Sequence, residues 1–316
     1  GEGTPVLSHR LLPTKLSRVW ADTGDDRPVY LVVIDNLRLD QWKMIEPLLL
    51  NRFRVAHNET YFSILPTATQ YARNALFAGL SPAEIARIYP QYWIGEDEEG
   101  SKNKFEGELF QSLLKRMNFS GKSSYHKITN LALGKKMVDQ FHQTLDNQLT
   151  AIVYNFVDML SHARTEMEVL KELAEDEAAY RSLTLSWFEH SALKDLLNLM
   201  AESGARVIIT TDHGTVRVAN SLKVKGERNT NSNLRYKVGR NLGYDTGDVF
   251  AIRQPEEAGL PRPNVSSAYI FAREDDFLVY PNNYNYFSQY FTDTFQHGGI
   301  SLEEVIIPWV ELDPIS

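Results

Sequence analysis

The sequence predicts an α/β fold in which helices flank a sheet of parallel strands. Three apolar runs rich in β-branched residues support this prediction, at residues 29–34, 149–157 and 207–211. Continuous runs of this kind are typical of parallel strands that are buried on both faces. Each run ends at or next to an aspartate, and these aspartates are Asp35, Asp158 and Asp212. Because open α/β sheets bind ligands at the carboxyl edge of their strands, we expect a functional site at that edge.

The composition excludes several classes of protein and of metal site. The chain has 316 residues, 43% of them hydrophobic, which is enough for the core of one large domain or two small ones. Its net charge of -8 argues against a broad cationic face for duplex nucleic acid or anionic membrane. Because the chain has no cysteine, any metal must be bound by aspartate, glutamate or histidine. The longest apolar runs are far shorter than the roughly 18 residues of a membrane span, so we expect no membrane insertion.

The predicted domain organisation has two parts. Residues 1–27 are a polar lead-in or linker, and residues 28–316 form the α/β domain. Because the chain begins Gly-Glu-Gly and lacks the pattern of a secretion signal, we expect a C-terminal piece of a longer, cytoplasmic protein. Residues 90–148 are predicted to be a cap or insertion. The lysine- and arginine-rich residues 216–240 are predicted to be a loop that presents cations to substrate phosphates, or a plain solvated loop.

Local patterns predict further elements. A helix is expected over residues 40–50, a strand over 57–64, and a long helical stretch over 178–203. The run Gln70 to Phe77 is helical in pattern and Gly79 is expected to end it. Short strands are expected at 248–252, 268–273 and 277–280, and an edge strand after His297-Gly298-Gly299. The aromatic residues between 280 and 291 are expected to pack in a core or cap, or else to line a base-stacking cleft.

Six residues are candidate metal ligands. Two of them are the consecutive residues Asp212 and His213. Asp158 and His162 would share one face of a helix if a helical turn begins at Asp158. The other two are Asp35, at a strand end, and His297, before two glycines. Carboxylate oxygen and imidazole nitrogen together suit zinc or manganese better than calcium. The alternative for each is ordinary: an aspartate that caps a helix, or a histidine on the surface.

Two threonines are candidate nucleophiles. Thr67 and Thr69 follow Pro66 at the predicted start of a helix. A helix N-terminus stabilises an alkoxide and binds a phosphoryl oxygen, as a hydroxyl nucleophile requires. The alternative is a threonine that only caps the helix. If two divalent ions bind about 4 Å apart beside it, they can hold the attacking and the leaving oxygens of a phosphoryl group.

The order of these motifs resembles the alkaline phosphatase superfamily, in particular its PglZ branch. The similar blocks run from residues 29–35 to His297-Gly298-Gly299 with Glu303 and Pro308. Within the branch the chain is most similar to the C-terminal domain of PorX-type response regulators. The resemblance implies a mixed, mostly parallel sheet sandwiched by helices, with a cap or insertion.

The resemblance also implies roles for the candidate residues. Asp158, His162 and His297 would bind one zinc ion, and Asp35, Asp212 and His213 the other. Thr69 would be the nucleophile and a metal ligand, because the superfamily segment Pro-Thr-x-Thr, followed by Gly and Pro, matches residues 66–69, Gly79 and Pro82. Where nucleotide diesterase relatives have an asparagine, this chain has Pro90, so Arg73 or the basic loop is expected to bind the phosphate instead.

The function implied is a zinc-dependent phosphodiesterase that cleaves nucleotide or oligonucleotide diesters, with manganese as an alternative metal. Its implied partners are an upstream receiver domain and a sensor kinase, and a homodimer is plausible through that receiver domain. Two alternatives stay open: a phosphomonoesterase, and a metal-stabilised signalling module without catalysis.

Overall fold

The structure, a computed structural model, describes residues 5–23, 27–96, 98–155, 172, 176–227 and 230–315. The helices of this part of the chain are α1 (Ser8–Thr23), α2 (Leu39–Leu49), α3 (Thr69–Ala78), α4 (Pro82–Ile88), α5 (Glu106–Arg116), α6 (Leu131–Asp139), α7 (Glu177–Glu189), α8 (Ala192–Glu202), α9 (Tyr284–Phe291) and α10 (Leu302–Val305). Short 3-10 helices lie at Pro90–Tyr92, Phe141–Thr144 and Pro255–Ala258. The strands are β1 (Val29–Ile34), β2 (Phe53–Phe62), β3 (Ser123–Ile128), β4 (Leu149–Tyr154), β5 (Arg206–Thr210), β6 (Val216–Arg217), β7 (Asn220–Lys223), β8 (Tyr236–Gly239), β9 (Val249–Ile252), β10 (Ala268–Ala272), β11 (Asp276–Val279), β12 (Phe295–Gln296) and β13 (Ile306–Pro314). No helix among these residues is both long and apolar enough to cross a membrane.

The chain forms two compact units. The sheet unit comprises residues 13–61, 114–212 and 306–316, and the second unit comprises residues 1–12, 62–113 and 213–305. Neither unit is continuous in sequence. The consecutive residues Asp212 and His213 are therefore the last of one segment and the first of the next.

The sheet unit is built on six strands in the order β2-β13-β5-β1-β4-β3. Strand β1 is parallel to both β4 and β5, and β3 is parallel to β4. Strand β13 is antiparallel to β5. This is the mixed, mostly parallel sheet that was predicted, and helices flank it. Strand β3 comes from within residues 90–148, the segment predicted to be a cap or insertion.

Apolar side chains on one face of this sheet form the core of the unit. Every residue of β1, β4 and β5 is buried, as expected for strands covered on both faces. The core is completed by α2 and α8, which place apolar residues at three- and four-residue spacing toward it. The core residues that these two helices contribute are Trp42, Ile45, Leu49, Leu193, Leu196, Leu197 and Met200.

Two elements of the sheet unit differ from the prediction. Strand β13 is not at an edge: it lies between β2 and β5, with Ile307, Trp309, Val310 and Leu312 fully buried. Pro308 near the start of β13 is compatible with this internal position, because a proline is tolerated in the first residues of a strand. The single helical stretch expected over residues 178–203 is two helices, because Ser191 adopts extended backbone angles before α8.

The second unit contains small sheets and its own cores. Strands β8, β10 and β9 form one antiparallel sheet, β11 pairs with β7, and β12 pairs with β6. Strands β6, β7 and β8 lie within residues 216–240, so this stretch is not the single loop that was predicted. It folds because Tyr236 and Val238 of β8 point into a core with Tyr71, Tyr269 and Phe271.

Candidate metal centre and nucleophile

Two buried aspartates lie at neighbouring strand ends in the sheet unit. Val33 of β1 is in register with Thr210 of β5, so Asp35 and Asp212 each come two residues beyond this pair. A carboxylate oxygen of Asp35 lies within 4.8 Å of one from Asp212. The side chains are 1% and 0% exposed, respectively. The carboxyl edge predicted from the sequence therefore brings these two carboxylates together.

The backbone around the two aspartates is held by hydrogen bonds within the sheet unit. The N–H of Asn36 donates to Asp212 Oδ1 at 3.2 Å, and the N–H of Leu37 donates to Thr211 Oγ1 at 3.0 Å. The Tyr61 hydroxyl donates to the carbonyl oxygen of Thr211. Burial raises the pKa of Tyr61 well above its usual value, so this hydroxyl stays protonated and able to donate.

The chemistry of this pair fits a divalent cation. Two carboxylates buried side by side repel each other, and a bound cation offsets both that repulsion and the loss of hydration. Oxygen donors of this kind suit zinc when they are combined with imidazole.

In the second unit, His213 and His297 have the same hydrogen-bonding arrangement. His213 Nδ1 lies 3.0 Å from the carbonyl oxygen of Gly214, and His297 Nδ1 lies 3.0 Å from that of Thr67. Because a carbonyl oxygen only accepts, each neutral ring must carry its proton on Nδ1. In this tautomer Nε2 is the acceptor nitrogen of each ring, and a hydrogen bond from the other ring nitrogen is the usual way in which a metal-binding histidine is oriented.

The two rings lie close together and beside the candidate nucleophile. Their centroids are 4.2 Å apart and their planes differ by 18°. Thr69 Oγ1 lies 3.1 Å from Nε2 of His213, the nitrogen that carries the lone pair. The second unit therefore places a hydroxyl and two potential nitrogen ligands in one cluster.

The structure distinguishes the two threonines. The Thr67 side chain is fully buried, donates to the carbonyl oxygen of Gly299 at 2.8 Å and accepts from the N–H of Gly298 at 3.1 Å. Its hydroxyl thus holds the glycine turn that follows His297. Thr69 is the first residue of α3 and is partly exposed, with the hydroxyl beside His213. This arrangement favours Thr69 as the nucleophile.

Helix α3 is held in place by polar contacts within the second unit. Asn103 donates from Nδ2 to the carbonyl oxygen of Thr69 at 2.9 Å. Arg73 forms a buried ion pair with Glu106, with Nε 2.7 Å from the carboxylate. Gly79 ends the helix with left-handed backbone angles (φ 60°, ψ 31°), as predicted. Arg73 is 1% exposed, and its ion pair with Glu106 anchors α3.

A buried ion pair supports the turn after His297. The side chains of Arg235 and Glu304 are both 0% exposed, with Nη2 2.7 Å from the carboxylate. Glu304 also accepts from the N–H groups of Gly299 at 2.9 Å and Ser301 at 3.0 Å. Arg235 belongs to the loop that was predicted to bind phosphate. In the structure its guanidinium pairs with Glu304 and so supports the turn that follows His297.

Four of the six predicted metal ligands lie in the described residues. Asp35 and Asp212 come together in the sheet unit, and His213 and His297 come together in the second unit. Asp158 and His162 lie outside the described residues.

Two residues that support the site, Glu304 and Asn103, had no role assigned to them from the sequence. A buried glutamate followed closely by a strand gives a weak signal. Asn103 is 34 residues from Thr69, so no local pattern indicates their contact.

A comparison with protein families finds a match over most of the chain. A family model described as the BREX system PglZ alkaline phosphatase-like domain matches residues 14–312. No curated protein sequence matches the chain.

Solved structures with a similar fold include two kinds of hydrolase. Murine ectonucleotide pyrophosphatase/phosphodiesterase 5 superposes with a TM-score of 0.58 at 10% identity, covering 90% of this chain and 88% of the other. An inactive threonine-to-alanine variant of that protein, in complex with AMP, superposes equally well. Phosphonoacetate hydrolase from Sinorhizobium meliloti 1021, in complex with phosphonoformate, has a TM-score of 0.55 at 11% identity, covering 91% and 90% of the two chains. At such low identity these likenesses establish the fold alone.

Proposed function

Because the chain belongs to the BREX system PglZ alkaline phosphatase-like domain family, whose model matches residues 14–312, we propose that it is a metal-dependent phosphodiesterase with Thr69 as its nucleophile. The family match supports the broader statement that the chain is an alkaline phosphatase-like hydrolase of phosphate esters. The observation that carries the proposal is the cluster of Thr69 with His213 and His297, whose rings are oriented by hydrogen bonds from Nδ1 to carbonyl oxygens.

The proposed ligands form two sets. Asp35, Asp212 and His213 would bind one zinc ion, and Asp158, His162 and His297 the other, with Thr69 beside them. The donor chemistry of the described residues supports zinc, and manganese is the alternative. When bound, the metals would neutralise charge on the phosphoryl group and favour the ionised form of the threonine hydroxyl.

Thr69 would act by in-line displacement. Its Oγ1 forms a bond to phosphorus while the bond to the leaving oxygen breaks, and the threonine hydroxyl proton passes through solvent to that oxygen, which leaves as an alcohol. Water then attacks phosphorus, releases the phosphate monoester and regenerates the hydroxyl. The position of Thr69 at the first turn of α3 adds helix N–H groups that stabilise negative charge.

We infer that the substrate is a nucleotide or oligonucleotide diester. Support comes from the similar fold of a protein described as a phosphodiesterase and crystallised with AMP as a threonine variant. The parallel with a threonine whose loss inactivates that protein also favours Thr69. The receiver domain, the sensor kinase and the homodimer are proposed on the sequence resemblance to PorX-type response regulators.

The test is hydrolysis of bis-p-nitrophenyl phosphate and p-nitrophenyl phosphate by metal-stripped protein, with zinc or manganese restored. We expect zinc-restored cleavage of the diester in preference to the monoester. Thr69→Ala should reduce the rate at least about a hundredfold while zinc content stays close to that of the parent. Thr69→Ser should keep a measurable fraction of the activity because it retains a hydroxyl.

A trapping experiment separates Thr69 from Thr67. Acid quenching during turnover, followed by peptide mass spectrometry, should locate the phosphoryl group on Thr69. A phosphoryl group on Thr67 would move the nucleophile to that residue. Preference for the monoester would instead favour a phosphomonoesterase, and zinc binding without turnover of either substrate would favour the non-catalytic module.

A further inference from the structure

A cavity of about 690 Å³ lies in the second unit, beside β8 and β11. Its lining includes the apolar and aromatic side chains of Leu278, Phe287 and Phe291. Polar side chains from the predicted basic loop, including Lys225 and Lys237, complete the lining. No residue that lines this cavity is a candidate metal ligand or nucleophile.

Lys237 is the notable polar group of the cavity because it is only 1% exposed. Its Nζ lies 4.2 Å from the centre of the Tyr280 ring and 3.4 Å from the carbonyl oxygen of Asn231. Among the residues that the structure describes, no carboxylate forms an ion pair with it. A long hydrogen bond and a ring face are weak partners for a buried ammonium group, which has three N–H donors.

The remaining charges of the cavity do not compensate Lys237. Glu227, the one acidic residue among the described residues of the lining, is 3.0 Å from the guanidinium of Arg240 and accepts a hydrogen bond from Asn241. Lys225 adds a second amine, and it is exposed. The lining therefore combines two amines with aromatic side chains, a combination suited to an anion attached to a ring.

We propose that this cavity is a binding site for a small aromatic anion, with Lys237 donating hydrogen bonds to the anionic group and Phe287 and Phe291 packing against the ring. Burial lowers the pKa of Lys237 to about 7. A bound anion favours the protonated form of the amine, so binding and protonation are coupled. The other titratable groups that face it are Lys225, Glu227 and Tyr280, and burial raises the pKa of Tyr280 to about 12. Affinity for the anion should therefore fall as the pH rises through about 7.

The test uses two fluorescent probes that share an anilinonaphthalene skeleton. One is 8-anilinonaphthalene-1-sulfonate, which is anionic throughout the neutral range, and the other is the uncharged N-phenyl-1-naphthylamine. At pH 6.5 we expect Lys237→Met to weaken binding of the anionic probe at least about tenfold and to change binding of the uncharged probe less than twofold. Lys223→Met, which removes a lysine of β7 that does not line the cavity, is the matched control and should leave both affinities unchanged.

Two further measurements complete the test: the pH dependence of probe binding and the displacement of the probe by competitors. The parent should lose at least about tenfold in affinity for the anionic probe between pH 6.5 and pH 9, and Lys237→Met should not. Displacement by phenyl phosphate alone would identify a phosphate ligand, and displacement by benzoate alone would identify a carboxylate. The proposal is overturned if Lys237→Met binds the anionic probe like the parent, if Lys223→Met weakens it equally, or if neither competitor displaces it. Thermal unfolding of each variant confirms that it is folded.

Discussion

The buried amine of Lys237 links the stability of the protein to pH. In the folded chain its pKa is lowered to about 7 by burial, while in the unfolded chain it keeps the usual value of about 10.4. Between these two values the unfolded state binds one more proton than the folded state. By linkage, this group makes the free energy of unfolding rise with pH across that interval.

We expect the difference in unfolding free energy between the parent and Lys237→Met to change with pH. From pH 7 to pH 9 the parent should gain up to about 1.4 kcal/mol per pH unit relative to the variant, the limiting slope for one proton. Urea unfolding at several pH values measures this difference, and Lys223→Met provides the control. A constant difference over this range would show that Lys237 is not buried as described.

The sequence indicated single residues well where a local pattern ended on them. Asp35 and Asp212 were recognisable because a buried apolar strand stops just before each, and Gly79 because a helical pattern ends there. The ion pair of Arg235 with Glu304 was not recognisable, since the partners are 69 residues apart and neither lies in a distinctive pattern. Local periodicity carries no information about such a contact.

At the scale of elements, the turn between β12 and α10 depends on one carboxylate. Glu304 lies in α10, pairs with Arg235 and accepts N–H groups from the turn that follows His297. Removing its charge leaves a buried guanidinium without compensation and weakens the turn. The His297 ring is then less well placed to bind metal.

Glu304→Gln is expected to lower the free energy of unfolding by about 3–5 kcal/mol, the usual cost of breaking a buried ion pair. The exposed neighbour in the same helix is a matched control, and Glu303→Gln should change stability by less than about 0.5 kcal/mol. Urea unfolding compares the two variants, and zinc content reports on the turn. Similar losses in both variants would contradict the role assigned to Glu304.

Element types were predicted more reliably than their ends and their neighbours. The strands with continuous apolar runs were found, whereas the break before α8 and the internal position of β13 were not. A helix break without glycine or proline has little local signal. The order of strands in a sheet is set by packing among distant segments, which periodicity does not report.

At the scale of the whole molecule, metal binding should stabilise the folded chain. A ligand that binds only the folded state adds about 2.7 kcal/mol to stability at a concentration of 100 times its dissociation constant. The buried pair Asp35 and Asp212 contributes to the affinity for the metal, because a cation offsets the repulsion between the two carboxylates.

Chelation is therefore expected to lower the melting temperature, and added zinc should restore it. Asp212→Asn should remove most of the zinc-dependent rise, because it deletes one buried carboxylate ligand. Asp195→Asn, at an exposed position of α8, should keep the full rise and serves as control. Differential scanning calorimetry with and without zinc makes the comparison, and an identical rise in both variants would exclude Asp212 as a ligand.

The position of β13 also constrains the order of events during synthesis. In the finished sheet β2 joins β5 only through β13, although β2 leaves the ribosome about 250 residues earlier. A nascent chain that has not reached residue 306 can pair β5 with β1 but leaves one edge of β5 open. Until the final strand is inserted, that edge offers unpaired N–H and C=O groups to other nascent chains. Translation must therefore pass residue 306 before the open edge of β5 can be covered by β13.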